Sequence, residues 1–399
     1  MGYQVPLLTA TQIDSSEHGL PARIPALDGI RGLAICLVLA WHGFFQYTLP
    51  NHPQVTHIVA LGRLLWSGVD LFFVLSGFLI GGILLDAVSV QGYLTVFYIR
   101  RAYRILPLYA VVLLSVLPVT YWLRQLGASG PFLEARVPLW YYPAFLQNFW
   151  MAKHGAFGSY TLGSTWSLAV EEQFYLTLPV IIRYVSRSLL WWIVCGMIAA
   201  APLLRIFLNH SVTHGALAGY VLMPCRADAL GWGILAALVV RTPGVLELVV
   251  RLRSYMYGAL GGAAAGLMVL LLSRFEPVSN EAFGLEYSLL AVFYFLFLMS
   301  VLINRKLEVA LSVRPLRYMG TIAYGLCLLH RPFIVGFHDI ATWLYPRETG
   351  WLSLLSSISG IGVAVAVAAL SWEYLEKPLI KRGHRYGYSR KAEIANCCG

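Results

Sequence analysis

From Leu33 to the far end of the chain, apolar stretches of about 20 residues recur, the length an α-helix needs to cross bilayer hydrocarbon. In lipid a backbone has no water to bond with, so each such stretch must satisfy its own N–H and C=O groups, and a run of them folds as a bundle of helices. Composition agrees. Charged residues are 12% and hydrophobic residues 58% of the 399, whereas an ordinary soluble domain carries roughly 25% charge. That leaves too little polar surface to cover a water-soluble fold, so a soluble two- or three-domain protein is excluded and an all-α polytopic membrane protein is expected.

Reading for apolar length predicts about ten transmembrane helices, at 33–49, 67–86, 105–123, 165–185, 189–208, 222–240, 255–273, 284–303, 321–341 and 351–372. They sit in one transmembrane domain, 26–383, between an N-terminal tail, 1–25, and a C-terminal tail, 384–399. Segment 138–150, PLWYYPAFLQNFW, is too short and too proline-punctuated to span; its Trp and Tyr suit the headgroup level, as an interfacial or re-entrant piece. The longest connection, about 124–164, is where a substantial extramembrane feature is expected.

The net charge of +10 does not point to nucleic acid, because Lys and Arg lie between the apolar segments and form no single basic domain. Topology explains them instead. With the N-terminus in the cytoplasm, nineteen Lys and Arg fall on cytoplasmic connections and six outside, the six being Arg63, Arg124, Arg136, Lys153, Arg274 and Arg347. Ten spans with both termini cytoplasmic therefore satisfy the positive-inside rule, and an odd count would break the alternation. No secretory leader pattern opens the chain, so the first span is expected to be retained. Cys36, Cys195, Cys225 and Cys327 occur one per apolar segment, as small hydrophobes do, and Cys397 with Cys398 carries no metal-site spacing; no metal is expected.

Charges and imidazoles inside hydrocarbon cost roughly 2.5 kcal/mol or more each, so those that persist are the candidates for function. Arg31 and His42 are eleven residues apart, which is about three turns plus 20° and about 16 Å, so both lie on one helix face. A guanidinium at the cytoplasmic mouth suits a phosphate, and an imidazole in a low-dielectric pocket suits a general base. The alternatives are an Arg snorkelling to headgroups and a His bonded to a neighbouring helix. In GVDLFFVLSGFLIGG, Asp70 can bind a sugar hydroxyl or cap the helix, and Ser76 lies deeper. In TWSLAVEEQFYLTLP, Glu171 and Glu172 diverge by about 100°, so one faces a cavity and the other a neighbouring helix; Glu172, the deeper, is expected at the cavity. Arg226 and Asp228 open one span, and His330 with Arg331 and Pro332 lies within another, where the proline can kink it toward a cavity. Arg100, Arg101 and Arg104 in FYIRRAYRILPLY form either an ordinary cytoplasmic loop or an anion site for a phosphorylated donor. No G-x-S-x-G elbow occurs, which leaves Ser76 and Ser167 as weak nucleophile candidates.

Together these blocks resemble the membrane acyltransferase 3 family: LDGIRGLAICLVLAWH, GVDLFFVLSGFLI, FYIRRAYRILPLY, STWSLAVEEQFYL, the proline-Arg-x-Asp block at 224–228, MGTIAYGLCLLHRPF and EKPLIKRG, in order from about Leu27 to Gly383. The resemblance implies an integral-membrane enzyme of the plasma (inner) membrane with no bound cofactor. It implies transfer of an acyl group, commonly acetyl, from cytoplasmic acyl-CoA as co-substrate to a sugar hydroxyl of an extracytoplasmic or lipid-linked glycan, exopolysaccharide or glycoside. Carried over by position, Arg31 and His42 match the family's Arg and His pair, Arg100, Arg101 and Arg104 its donor-side motif, and Glu171 with Glu172 its acid motif. Asp70, Ser76, Arg226, Asp228 and His330 are the acceptor-side candidates. The esterase-like domain that some members carry is expected to be absent, leaving any second acyl-handling step to a separate extracytoplasmic protein. The rival reading is a multi-span transporter of a glycan or small anionic metabolite, since intramembrane charges also mark substrate pathways, although no inverted repeat is visible.

Overall fold

The computed structural model describes residues 24–46, 62, 64–127, 130–133, 136–272, 284–345 and 350–388, and among these it is helical, with no strand. The helices are α1 (Pro25–Ala40), α2 (Gly68–Ala87), α3 (Tyr93–Gln125), α4 (Gln147–His154), α5 (Trp166–Tyr184), α6 (Arg187–Ser211), α7 (Gly215–Val221), α8 (Ala227–Val240), α9 (Pro243–Arg251) and α10 (Arg253–Leu272). They continue with α11 (Leu285–Ile303), α12 (Arg305–Leu311), α13 (Arg314–Thr321), α14 (Ala323–Leu344), α15 (Gly350–Ser371) and α16 (Lys377–Gly383). Two π-helical turns, Trp41–Phe45 after α1 and Trp372–Glu376 between α15 and α16, extend their helices.

Eight of the described helices are long and apolar enough to cross a membrane, and nine if α13 with α14, bent by 74°, is one span. Each of the ten predicted segments falls on a helix. The fourth, α5, is the one that fails the apolar criterion: it has the length of a span, 19 residues, but carries Glu171, Glu172 and Arg183. Boundaries moved at three places: α1 starts at Pro25, α3 extends over 33 residues, and the last span runs through its π turn to Gly383. The bend of the ninth segment falls at Ile322, between α13 and α14, and α14 continues through Pro332. Segment 138–150 forms a single 3-10 turn, Leu139–Tyr141, and the start of the short α4, so it does not span. The expectations resting on Arg23, Arg63, Arg274, Arg347, Arg390, Lys391, Cys397 and Cys398, and most of both tails, lie outside the described residues.

Large apolar side chains such as Leu114, Trp192, Leu203 and Val269 point outward, where lipid replaces water. Inside, helices approach through glycine, because without a water-driven force between helices close van der Waals packing holds the bundle. At the α2–α8 crossing a Cβ on Gly77 would lie 2.1 Å from the Leu230 carbonyl oxygen, and one on Gly233 2.1 Å from that of Val74. The α1–α13 contact is alike: a Cβ on Gly32 would lie 1.9 Å from the Leu316 carbonyl oxygen. Charges also tie helices together. Arg205 of α6 grips Asp228 of α8 bidentately, at 2.6 and 3.2 Å, and also donates to Ser288 Oγ and the Gly284 carbonyl, both at 2.7 Å.

Replacing Gly77 or Gly233 by Ala is expected to force the two backbones apart and lower the thermal midpoint in detergent, with loss of the monodisperse species on size exclusion. An unchanged midpoint in both variants would show that the crossing does not depend on this contact.

Candidate active site

A cavity of about 820 Å³ runs between α1, α2, the first part of α3, the 156–164 loop, α5 and α14. Arg31, His42, Ser76, Arg100, Arg101, Arg104, Glu171 and His330 all line it, with Ser167 beside them. Residues from Arg31 near one end of the sequence to Tyr388 near the other thus share one space.

One end of the cavity is basic. Residues 100, 101 and 104 fall on neighbouring faces of one helix turn, and Arg31 contributes from α1, held at 3.0 Å by Asp28. The Arg101 guanidinium lies over the rings of Phe97 and Tyr175, 5.7 and 5.4 Å from their centroids, which fixes its direction without neutralising it. Arg100 lies 4.8 Å from the Tyr388 ring centroid, and its Nε donates to the Tyr386 carbonyl at 3.0 Å. The segment after α16 therefore folds back over this end. His384 of that segment lines the cavity, and partial burial, then Arg100, Arg104 and Arg101, hold its pKa below the ordinary histidine value.

About 16 Å along α1 from Arg31, by the helical rise, His42 stands in the π turn, closed by the Gln46 N–H to Trp41 carbonyl bond at 3.1 Å. Single π turns inside α-helices often mark functional sites. His42 Nδ1 lies 3.0 Å from the Val38 carbonyl and 3.2 Å from His330 Nε2, while His330 Nδ1 lies 2.7 Å from the Leu326 carbonyl. Carbonyls only accept, so His330 carries its proton on Nδ1 and its Nε2 presents a lone pair. His42 then donates from Nδ1, shared between Val38 and His330, and its Nε2 is left with a lone pair. This network assigns the tautomers and makes His42 a proton acceptor oriented by a second imidazole.

A sequence profile described as "Acyltransferase domain" matches residues 24–373, the stretch that contains the cavity wall except Ile380, His384 and Tyr388. The chain belongs to this acyltransferase family. Among similar proteins, "Putative peptidoglycan O-acetyltransferase YrhL" of Bacillus subtilis (strain 168) is 29% identical over 396 residues, covering 93% of this chain and 57% of the relative. "Peptidoglycan O-acetyltransferase OatA" of Listeria monocytogenes serovar 1/2a is 29% identical over 376 residues, covering 90% of this chain and 56% of the relative. The chain thus spans a little more than half the length of the curated relatives it matches. No solved structure matches it.

Four of the residues singled out from the sequence lie elsewhere. Glu171, not Glu172, faces the cavity: Ser76 Oγ donates to Glu171 Oε1 at 2.6 Å and itself accepts from the Tyr175 hydroxyl at 3.3 Å. Depth along α5 favoured Glu172, but the helical azimuth decides, and it turns Glu172 to another face, where its Oε1 is buried without a hydrogen bond among the described residues. Asp70 neither caps α2 nor reaches the cavity. It pairs with Arg226, both fully buried, and Arg226 lies behind Phe73 and Tyr220, which form the wall. Asp228 is taken by Arg205, so these three acceptor-side candidates hold helices together. His330 is in the cavity but as the partner of His42. Arg205 was overlooked although it interrupts the apolar stretch 189–208, a signal as clear as any that was used. Arg331 also lines the cavity, its Nε donating to the Tyr160 carbonyl at 2.8 Å and Nη1 to Gln46 Oε1.

Asp70→Ala strands the Arg226 charge in the bundle and is expected to cost about 3–5 kcal/mol of stability, the usual result of breaking a buried pair. Thermal unfolding in detergent checks it; a fully stable variant with impaired acceptor use would return Asp70 to the acceptor site.

Proposed function

We propose that the protein transfers an acyl group, in the first instance acetyl, from cytoplasmic acyl-CoA to a sugar hydroxyl of an extracytoplasmic or lipid-linked glycan. The observation that carries this reading is the His42–His330 pair: an oriented imidazole with its Nε2 lone pair free, in a cavity whose basic end suits the phosphates of CoA. The peptidoglycan named for the relatives makes a cell-wall glycan the first acceptor to test. On the positive-inside reading the basic end is cytoplasmic and both termini lie on that side; the plasma membrane is the membrane that the family resemblance implies.

The CoA phosphates dock among Arg31, Arg100, Arg101 and Arg104, and the pantetheine arm runs along α1 to His42. His42 Nε2 removes the proton of the sugar hydroxyl as that oxygen attacks the thioester carbonyl. The carbon–sulfur bond breaks, the imidazolium returns the proton to the thiolate, and CoA leaves as the thiol. His330 Nε2 accepts from His42 Nδ1–H in both protonation states, holding the ring throughout, and Glu171, held by Ser76, is assigned to orienting the sugar in the same cavity.

His42→Ala is expected to abolish labelled acyl transfer to an extracted glycan pool while the protein still purifies as one species; turnover above a few per cent of wild type would remove it as the base. The assay in detergent needs no sealed vesicles, so it also separates an enzyme from a transporter. Glu171→Gln should lower turnover more than Glu172→Gln, and equal losses would sink the assignment by cavity face.

Donor binding should carry a proton signature. His384 has a pKa below the ordinary 6.5 in the free protein, so it is neutral near pH 7. An anion among the arginines offsets their repulsion and raises that pKa, so binding takes up a proton and strengthens as pH falls. The gain in CoA affinity between about pH 8 and about pH 6 should be larger in wild type than in His384→Ala. Parallel profiles would place the phosphates away from this residue.

A further inference from the structure

Gly43 follows His42 directly in the π turn, and its carbonyl accepts a hydrogen bond from Ser357 Oγ of α15. Ser357 Oγ lies 3.0 Å from His338 Nε2 of α14. Ser357 is 0% and His338 5% exposed, and neither lines the cavity. A serine has one hydroxyl hydrogen, and Gly43 offers only an acceptor, so that hydrogen goes to the carbonyl and His338 must donate from Nε2. The chain of donors therefore runs one way, from α14 through α15 to the turn that carries the reacting imidazole. The Ile361 side chain of α15 packs on the turn: a Cβ at Gly43 would lie 2.6 Å from Ile361 Cδ1. The wider π turn is anchored from outside itself, at the residue next to His42.

We propose that Ser357 and His338 are positioning residues: they hold the Gly43 carbonyl and with it the π geometry that aims His42 Nε2 into the cavity. The inference rests on the reading of His42 as the base. It adds two residues that do not line the cavity and lie outside the sequence blocks that carry the family resemblance.

The test uses the full chain in detergent. Ser357→Ala should lower kcat roughly ten- to a hundredfold, the scale expected when a reacting group is misplaced by an ångström or less, with the KM for acyl-CoA unchanged. Ser357→Thr, which keeps the hydroxyl, should restore most of the turnover. His338→Gln, which keeps an N–H donor, should stay close to wild type where His338→Leu does not, and this second pair carries the test if Ser357→Ala does not fold. An independent readout is the rate at which diethyl pyrocarbonate modifies His42, located by peptide mass spectrometry, which should fall in Ser357→Ala. Unchanged kcat and unchanged His42 modification would overturn the proposal. So would a fall in activity that matches the loss of folded protein and is shared by Ser357→Thr. If His42→Ala retains transfer while Ser357→Ala still slows modification of His42, the base assignment fails and the positioning device stands.

Discussion

A lone charge is costly in an apolar bundle, and the pairing of buried charges ties the central helices together. Arg205 and Asp228 join α6 to α8, and Arg226 and Asp70 join α8 to α2. Each pair is matched in the interior because an isolated partner there would be costly. The glycine crossings then let the same helices close on one another at backbone distance. Two walls of the cavity, α2 and the α7–α8 region with Tyr220, are fixed by these contacts before any reacting group is considered.

Within that frame the polar side chains that remain on the cavity divide by position. Arg31, Arg100, Arg101 and Arg104 collect at one end, the imidazoles stand with Arg331 about three helical turns along α1, and a Ser–Glu–Tyr cluster sits between α2 and α5. For an acyl transfer this separation is useful, since a phosphate-rich donor is held by charge at one place while its thioester reacts at another. Membership of an acyltransferase family agrees with such an arrangement.

Most of the architecture was legible because its signals are local. Apolar length locates a helix by itself, and the eleven-residue spacing of Arg31 and His42 puts both on one face, where the cavity does lie. The site was only partly legible, because its decisive facts are partnerships. Nothing in the sequence pairs His42 with His330, 288 residues away, or Asp70 with Arg226, 156 away. Glu171 and Glu172 illustrate the limit: helical geometry says that the two diverge, but which face meets the cavity depends on how α5 is rotated against α2, a tertiary quantity. Ser357 and His338 were invisible for the same reason, since a serine and a histidine in apolar helices have meaning only beside the Gly43 carbonyl.

Ser76 and Gly77 are neighbours on α2 with opposite obligations. Gly77 meets the backbone of α8, where nothing larger than hydrogen fits, while Ser76, about 100° around the helix, looks into the cavity. The atoms that hold the bundle together and the atoms that meet a substrate thus occupy different faces of the same helix. Descendants of such a chain are free to exchange cavity-facing side chains, and so to change what the cavity accepts, as long as the backbone-to-backbone seam is inherited intact.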